Sequence, residues 1–169
     1  MYYIPPQNFG LVEDNLYRSG QPNELNFPFL EKLGLKTIVF LAPEDPNRRF
    51  IDFIDDQDIV LHHLGCNSTG NGWEALSEEV VLEALELLLD PRNYPLMVMC
   101  NLGRHRTGYP SNPGTVVGCL RKLQNWNLTS ILEEYRRYAG SKVRVLSEQF
   151  IELFDIDLVR IPQSHPKWL

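Results

Sequence analysis

Cys100, Arg106 and Thr107 are the residues of this chain whose types and spacing suit group-transfer chemistry. They belong to the run Cys100-Asn101-Leu102-Gly103-Arg104-His105-Arg106-Thr107-Gly108, a Cys-x5-Arg loop with glycine at its fourth position. A loop of this kind between a strand and a helix turns successive backbone N–H groups towards one point, and the helix dipole adds positive potential there. The result is a socket for a tetrahedral oxyanion such as phosphate. Cys100 opens it as a potential thiolate nucleophile, Gly103 lets the backbone turn close to the ligand, and the planar fork of Arg106 can hold two equatorial oxygens. Thr107 can hydrogen-bond the sulfur, and Asn101, Leu102, Gly103, Arg104 and His105 line the socket. A free thiol titrates at about 8.5. Because the amides, the helix terminus and Arg106 all favour the anion, a lowered Cys100 pKa is expected. A bare Cys-x5-Arg is weak, but the added glycine and threonine bring chance occurrence to on the order of one in a thousand. An inert buried cysteine at a strand end beside a surface arginine is the bland alternative.

The elements around the loop must position it. Leu96-Met97-Val98-Met99 is an apolar run that reads as a buried strand leading into Cys100. Upstream, Leu16-Tyr17-Arg18-Ser19, Lys36 to Leu41 and Ile59 to His63 read as further strands. Between them, Asn26 to Gly34 has proline in its first turn and glycine at its end, the boundaries of a helix, and Phe50, Phe53 and Ile54 fall at helical spacing. Ser77 is placed to cap a helix through Leu89 with Val80, Val81, Ala84, Leu85 and Leu88 as its apolar stripe. Residues Met1 to Gly10 show little periodicity and are expected to run extended. Tyr109 to Gly114 holds two prolines and a terminal glycine, so the next helix is expected to start at Thr115. Two more helices follow, Asn127 to Ala139 with Ser130 and Glu133 spaced as a capping box, and Ser147 to Leu158. Strands alternating with helices, then helices alone, predict an α/β fold: a central, mostly parallel sheet flanked by helices, with the Cys100 loop at the carboxyl edge of its middle strand.

Composition narrows the function classes. A chain of 169 residues, 43% of them hydrophobic, is sized for a single domain over residues 1–169. No leader-like segment or bilayer-length apolar run is evident, so a cytoplasmic protein without membrane attachment is expected. Cys66, Cys100 and Cys119 are too few for a disulfide framework, and no Cys/His spacing suggests zinc. His62 and His63 are neighbours on a strand and point to opposite faces, which favours structural roles over a shared site. The net charge of −6 argues against nucleic-acid binding. Its distribution is uneven: Cys100 to Leu146 carries +6 and the remainder −12. That suggests a focused field for an anionic ligand, although Glu133 and Glu134 stand at helical spacing to pair with Arg136 and Arg137 instead. Both readings of those arginines stay open.

The reaction such a loop supports has two steps and needs no metal or other cofactor. The thiolate takes the phosphoryl group as a phosphocysteine, and water then releases phosphate. A poor leaving group would need a carboxylic acid nearby, yet the loop Cys66 to Trp73 is followed only by Glu74, Glu78 and Glu79, the last two at a helix start. Phenolate, with a pKa of about 10, and phosphate, with a second pKa of about 6, relax that need. The missing acid therefore points towards phosphotyrosine or a phosphoanhydride.

At this point the chain resembles a known family, the plant and fungal atypical dual-specificity phosphatases. Within them it is most similar to the fungal oxidant-induced cell-cycle arrest proteins, regarded as tyrosine phosphatases. The likeness runs through Pro6-Gln7-Asn8-Phe9, Leu16-Tyr17-Arg18-Ser19-Gly20-Gln21-Pro22, Leu33-Gly34-Leu35-Lys36-Thr37-Ile38, the loop from Gly103 to Gly108, Leu120-Arg121-Lys122-Leu123-Gln124-Asn125-Trp126, Glu134-Tyr135-Arg136-Arg137 and the pair Lys142, Arg144. It implies a cysteine-phosphatase fold, with members acting on inositol pyrophosphates and some on phosphotyrosine. It also implies Cys100 as nucleophile, Arg106 as phosphate clamp, Arg104 and His105 as phosphate contacts, and Lys142 and Arg144 as ligands for outer phosphates. Two departures stand out: Met99 where relatives carry histidine, and Tyr109 to Gly114 as an insertion before the helix. These departures and the absent acid motivate a second reading, a catalytically weak phosphate-binding scaffold assembled with related phosphatase-like proteins. Sulfur transfer by a rhodanese-like loop is a third reading, which leaves Thr107 and the basic tail unexplained.

Overall fold

A computed structural model describes residues 2–65, 77–101 and 113–169. Five strands make one sheet: β1 (Gly10–Glu13), β2 (Leu16–Gly20), β3 (Thr37–Phe40), β4 (Val60–His63) and β5 (Leu96–Cys100), in the order β1-β2-β5-β3-β4. All neighbouring pairs are parallel except β1 with β2. Every residue of β5 is buried, as a strand covered on both faces must be, and its continuous apolar composition follows from that position. Parallel pairing aligns Gly20 of β2 with Cys100, and Phe40 of β3 with Met99. The carboxyl ends of these three strands therefore lie side by side, and the Gln21 N–H closes the edge by donating to the Cys100 carbonyl at 2.8 Å.

Among the described residues six α-helices accompany the sheet: α1 (Phe27–Leu33), α2 (Arg48–Asp56), α3 (Glu78–Leu89), α4 (Pro113–Leu123), α5 (Leu128–Ala139) and α6 (Val145–Leu153). Helix α1 ends on Gly34 at φ 60°, a left-handed cap that costs a glycine little. Phe27 of α1 stacks on Phe53 of α2 with ring centroids 4.4 Å apart, joining those helices into one apolar cluster. Ser77 caps α3 by accepting from the Val80 N–H, and all five residues of the expected stripe are buried. Among the described residues, no helix is long and apolar enough to cross a membrane.

Helix α4 is the hub, packing on β5, α3, α5 and α6. Its described part, Pro113–Leu123, already includes the two residues before the expected start at Thr115, and proline is tolerated in a first turn because the N–H it lacks is one that turn leaves unpaired anyway. Helix α5 is capped by Asn127, whose side chain accepts from the Ser130 N–H at 2.9 Å. The Ser130/Glu133 box is thus displaced by a residue three positions earlier with a better acceptor. The last helix runs Val145–Leu153 rather than Ser147 to Leu158, and Asp155 caps a separate 3-10 turn, Ile156–Leu158. Strand β1 was not expected; Gly10–Glu13 is a short edge strand whose apolar signal is only two residues. The loop Cys66 to Trp73, Glu74, and the inserted residues 109–112 lie outside the described residues.

Arg121, on α4 and 4% exposed, ties three elements together. Its Nε and Nη2 donate to both Glu134 oxygens at 3.1 Å, Nη1 to Glu13 at 2.5 Å, and Nη2 also to the Val12 carbonyl at 2.9 Å. Trp126 covers the guanidinium at 4.2 Å. Removing one member of such a group strands buried charge of the other sign. Arg121→Met is expected to cost about 3 kcal/mol of folding free energy, seen as a lower denaturation midpoint with an unchanged denaturant slope; a loss below about 1 kcal/mol would show the network to be solvent-screened.

Candidate functional site

Cys100 is the last residue of β5 and 5% exposed, at the sheet edge where parallel α/β folds gather ligands. Asn101 continues from it, and its Nδ2 donates to Glu44 Oε2 at 3.3 Å. Glu44 follows β3 in the stretch Ala42–Asn47, to which sequence reasoning assigned no chemistry. It is an exposed carboxylate standing against the first residue of the loop. Leu102, Gly103, Arg104, His105, Arg106 and Thr107 lie outside the described residues.

The expected lowering of the Cys100 pKa is not what the described surroundings produce. Burial pushes the thiol up to about 12, against the pull of the Arg18 and Lys142 cations. Removing the sulfur from water penalises its charged form, and these two charges offset only part of that cost. Cys119 on α4 is buried too, and burial raises its thiol likewise.

The basic segment divides into two groups once folded. Arg121 belongs to the network on α4, and Lys122 Nζ donates to the carbonyls of Ile151, Glu152 and Phe154, closing the end of α6. Arg136 holds Glu148 of α6 through two bonds of 2.6 and 3.0 Å, and Arg137 stands 4.0 Å from Glu133 one turn away. Helix spacing thus accounts for Arg137, while the partner of Arg136 lies twelve residues on. Lys142 and Arg144 have no carboxylate partner among the described residues. Lys142 ends the 3-10 turn Gly140–Lys142 after α5, where Gly140 adopts φ 57°. The Arg144 N–H donates to the Tyr135 hydroxyl at 3.4 Å, which ties this segment back to α5.

Arg18 is the residue that pattern reading missed. It lies on β2, 3% exposed, with its guanidinium 3.8 Å from the centre of the Tyr138 ring. Its charge falls in a strand whose signal was apolar periodicity, and only the β2–β5 pairing brings it near Cys100. His63 has a structural place: its Nε2 is 2.7 Å from the Ala42 carbonyl oxygen and its ring meets Phe40 edge-on. Among the described residues no group of three His, Cys, Asp or Glu side chains could hold a metal ion. A cavity of about 350 Å³ lies between the segment after β2 and the start of α2, lined by Pro22, Leu25, Phe27 and Phe50; it contains none of the residues singled out for chemistry.

Comparison with known proteins agrees with this architecture. The model of a tyrosine phosphatase family matches residues 3–169. The probable tyrosine-protein phosphatase DG1060 of Dictyostelium discoideum is 66% identical over 168 residues, 99% of this chain and 97% of that protein. The candidate tyrosine-protein phosphatase OCA1 of Mycosarcoma maydis is 63% identical over 157 residues, covering 92% of this chain and 96% of its own. Among solved structures, the core catalytic domain of the PP-IP phosphatase SIW14 from S. cerevisiae, in complex with citrate, superposes with a TM-score of 0.80 at 43% identity, over 92% of this chain and 90% of that one.

A cation favours a nearby thiolate, so its removal moves thiol titration to higher pH. In Lys142→Met the pH midpoint for iodoacetamide labelling of Cys100, followed on its peptide by mass spectrometry, is expected to rise. Arg144→Met should leave it near the wild-type value, and equal shifts in both variants would contradict this division of the charges.

Proposed function

The chain belongs to the tyrosine phosphatase family and is a hydrolase of the protein-tyrosine-phosphatase type; from that premise we propose that Cys100 is its nucleophile and a phosphoanhydride of an inositol pyrophosphate its substrate. The Cys100 sulfur attacks the terminal phosphorus. An S–P bond forms as the P–O bond to the leaving phosphate breaks, and water then cleaves the phosphocysteine to release inorganic phosphate and the thiolate. Arg106 and the amides of Asn101 to Thr107 neutralise the equatorial charge, so the scheme uses no metal. They also supply the stabilisation of the thiolate that Arg18 and Lys142 provide only in part. Thr107 hydrogen-bonds the sulfur, while Arg104 and His105 meet substrate oxygens.

One observation carries the substrate assignment. Of the described cations in the basic segment, Arg121, Lys122, Arg136 and Arg137 are engaged within the fold, whereas Lys142 and Arg144 are not, and Lys142 acts on Cys100. Two cations without carboxylate partners among the described residues, one of them acting on Cys100, suit a ligand with phosphates beyond the one at the sulfur. A phosphate leaving group, with its second pKa of about 6, departs without a general acid. The 43% identical SIW14 core, described as that of a PP-IP phosphatase, supports this class of substrate. Phosphotyrosine is the competing substrate, and the names of the curated relatives favour it.

Met99 directly before Cys100, the Tyr109 to Gly114 insertion and the missing acid favour a second reading, a binding scaffold with little turnover, in a complex with related proteins. Cys100→Ser is expected to abolish hydrolysis of both an aryl phosphate and an inositol pyrophosphate while inositol hexakisphosphate still binds. Wild type as inactive as the variant, with binding intact in both, would establish the scaffold. Lys142→Glu with Arg144→Glu is expected to lower kcat/KM on the inositol pyrophosphate by at least about tenfold, roughly 1.4 kcal/mol of transition-state stabilisation, with little change on the aryl phosphate. Equal losses on both substrates would favour a small aryl ligand.

A further inference from the structure

Among the described residues two arginines are buried, and they are used differently. Arg121 spends its donors on carboxylates and a carbonyl, as a structural arginine does. Arg18 has no ion-pair partner among the described residues, and its Nη1 is buried without a hydrogen bond. Glu134, the carboxylate acting most strongly on it, is already committed to Arg121 through both oxygens. Burying a cation with an idle donor is costly, so something other than local stability has to account for its placement.

The strand register supplies that account. Arg18 pairs with Val98, and Gly20 with Cys100. Side chains alternate along a strand, so Arg18 and Gly20 project from the same face of the sheet as Val98 and Cys100. Gly20 has no side chain, so β2 puts nothing between the Arg18 head and the sulfur. The guanidinium is held in place from behind by Tyr138 of α5. That ring is itself confined: a Cβ on Gly10, the β1 residue paired with Arg18, would collide with it, and Asn8 Nδ2 donates to the Tyr138 carbonyl at 3.0 Å.

We propose that Arg18 is a positioning residue for Cys100, holding its sulfur in the charged, attacking form from the sheet side while Tyr138 fixes the guanidinium. This rests on Cys100 being the nucleophile. The two groups stabilise each other's charged forms: Arg18 lowers the Cys100 thiol pKa, and Cys100 raises that of Arg18, which burial has brought down to about 10. The other groups acting on the pair are Lys142 from the turn after α5, Tyr138 and Glu134 on α5, and Arg121 on α4. Lys142 acts on the sulfur from the turn after α5 and, with no carboxylate partner among the described residues, can be engaged by substrate. Arg18, sealed beneath, is present in every step.

The experiment is the pH dependence of Cys100 alkylation by iodoacetamide, read on its peptide in the full chain, for wild type, Arg18→Met, Arg18→Lys and Tyr138→Leu, with thermal melting as the folding control. Arg18→Met is expected to move the midpoint upward, so that alkylation at pH 7 slows about tenfold for each whole pH step the midpoint climbs, and to lower kcat on an aryl phosphate with little effect on KM. Arg18→Lys should restore most of both. Tyr138→Leu removes the backing and keeps the charge, and a smaller upward movement is expected; it reports even if Arg18→Met does not fold. A wild-type midpoint in the folded variants, with only the melting temperature lowered, overturns the proposal and leaves Arg18 a packing residue. Cys100→Ser separates the two levels. If it still hydrolyses aryl phosphate, the nucleophile assignment fails; if it is dead while the Arg18 midpoint does not move, only the role of Arg18 fails.

Discussion

The complete burial of β5 is the constraint on which the rest of this structure depends. A strand with both faces covered disfavours charged side chains, and β5 carries none, so the chemistry it supports falls to its end. Cys100 is that end, flanked by the ends of β2 and β3. The same burial that positions the sulfur disfavours its charged form. Placing the sulfur at the strand end and charging it are therefore opposed, and the surrounding cations act against the cost of burial. Arg18 from the sheet and Lys142 from the turn after α5 are the described contributions to that balance.

Helix α4 links this edge to the rest of the fold. Every residue from Pro113 to Arg121 is buried, because the helix touches β5, α3, α5 and α6 at once. Its last turn carries Arg121 and Lys122, which do for the fold what a helix surface would otherwise leave to water: one gathers Glu13 and Glu134, the other closes the end of α6. The bidentate pair of Arg136 with Glu148 adds a second tie between α5 and α6. Together these contacts hold the segment bearing Lys142 and Arg144 in place without using either cation.

Much of the fold was legible because periodicity and caps are local signals. Ser77, Gly34 and the stripe on α3 set boundaries that tertiary packing had no reason to change. Mistakes arose where two local signals competed. Asn127 took the cap that Ser130 and Glu133 also fitted, and Pro113 is helical although its context of prolines and glycine reads as loop. Strand β1 was too short to announce itself. For the site, residue types identified Cys100 and the family resemblance added Lys142 and Arg144, but nothing in the order of residues connects Arg18 or Glu44 to the loop.

The sequence by itself determined the order of the helices and of four of the five described strands, the strand that ends in cysteine, and the chemistry that a Cys-x5-Arg loop followed by threonine can do, since these depend on residue type and near-neighbour spacing. Only the tertiary structure decided which charges are available. Ion pairing is a property of distance in space, so a run of eight basic residues reads as one field along the chain. Folding consumed four of them in Arg121, Lys122, Arg136 and Arg137, left Lys142 and Arg144 unpaired by carboxylates among the described residues, and placed a ninth cation, Arg18, on the sheet face that Cys100 shares.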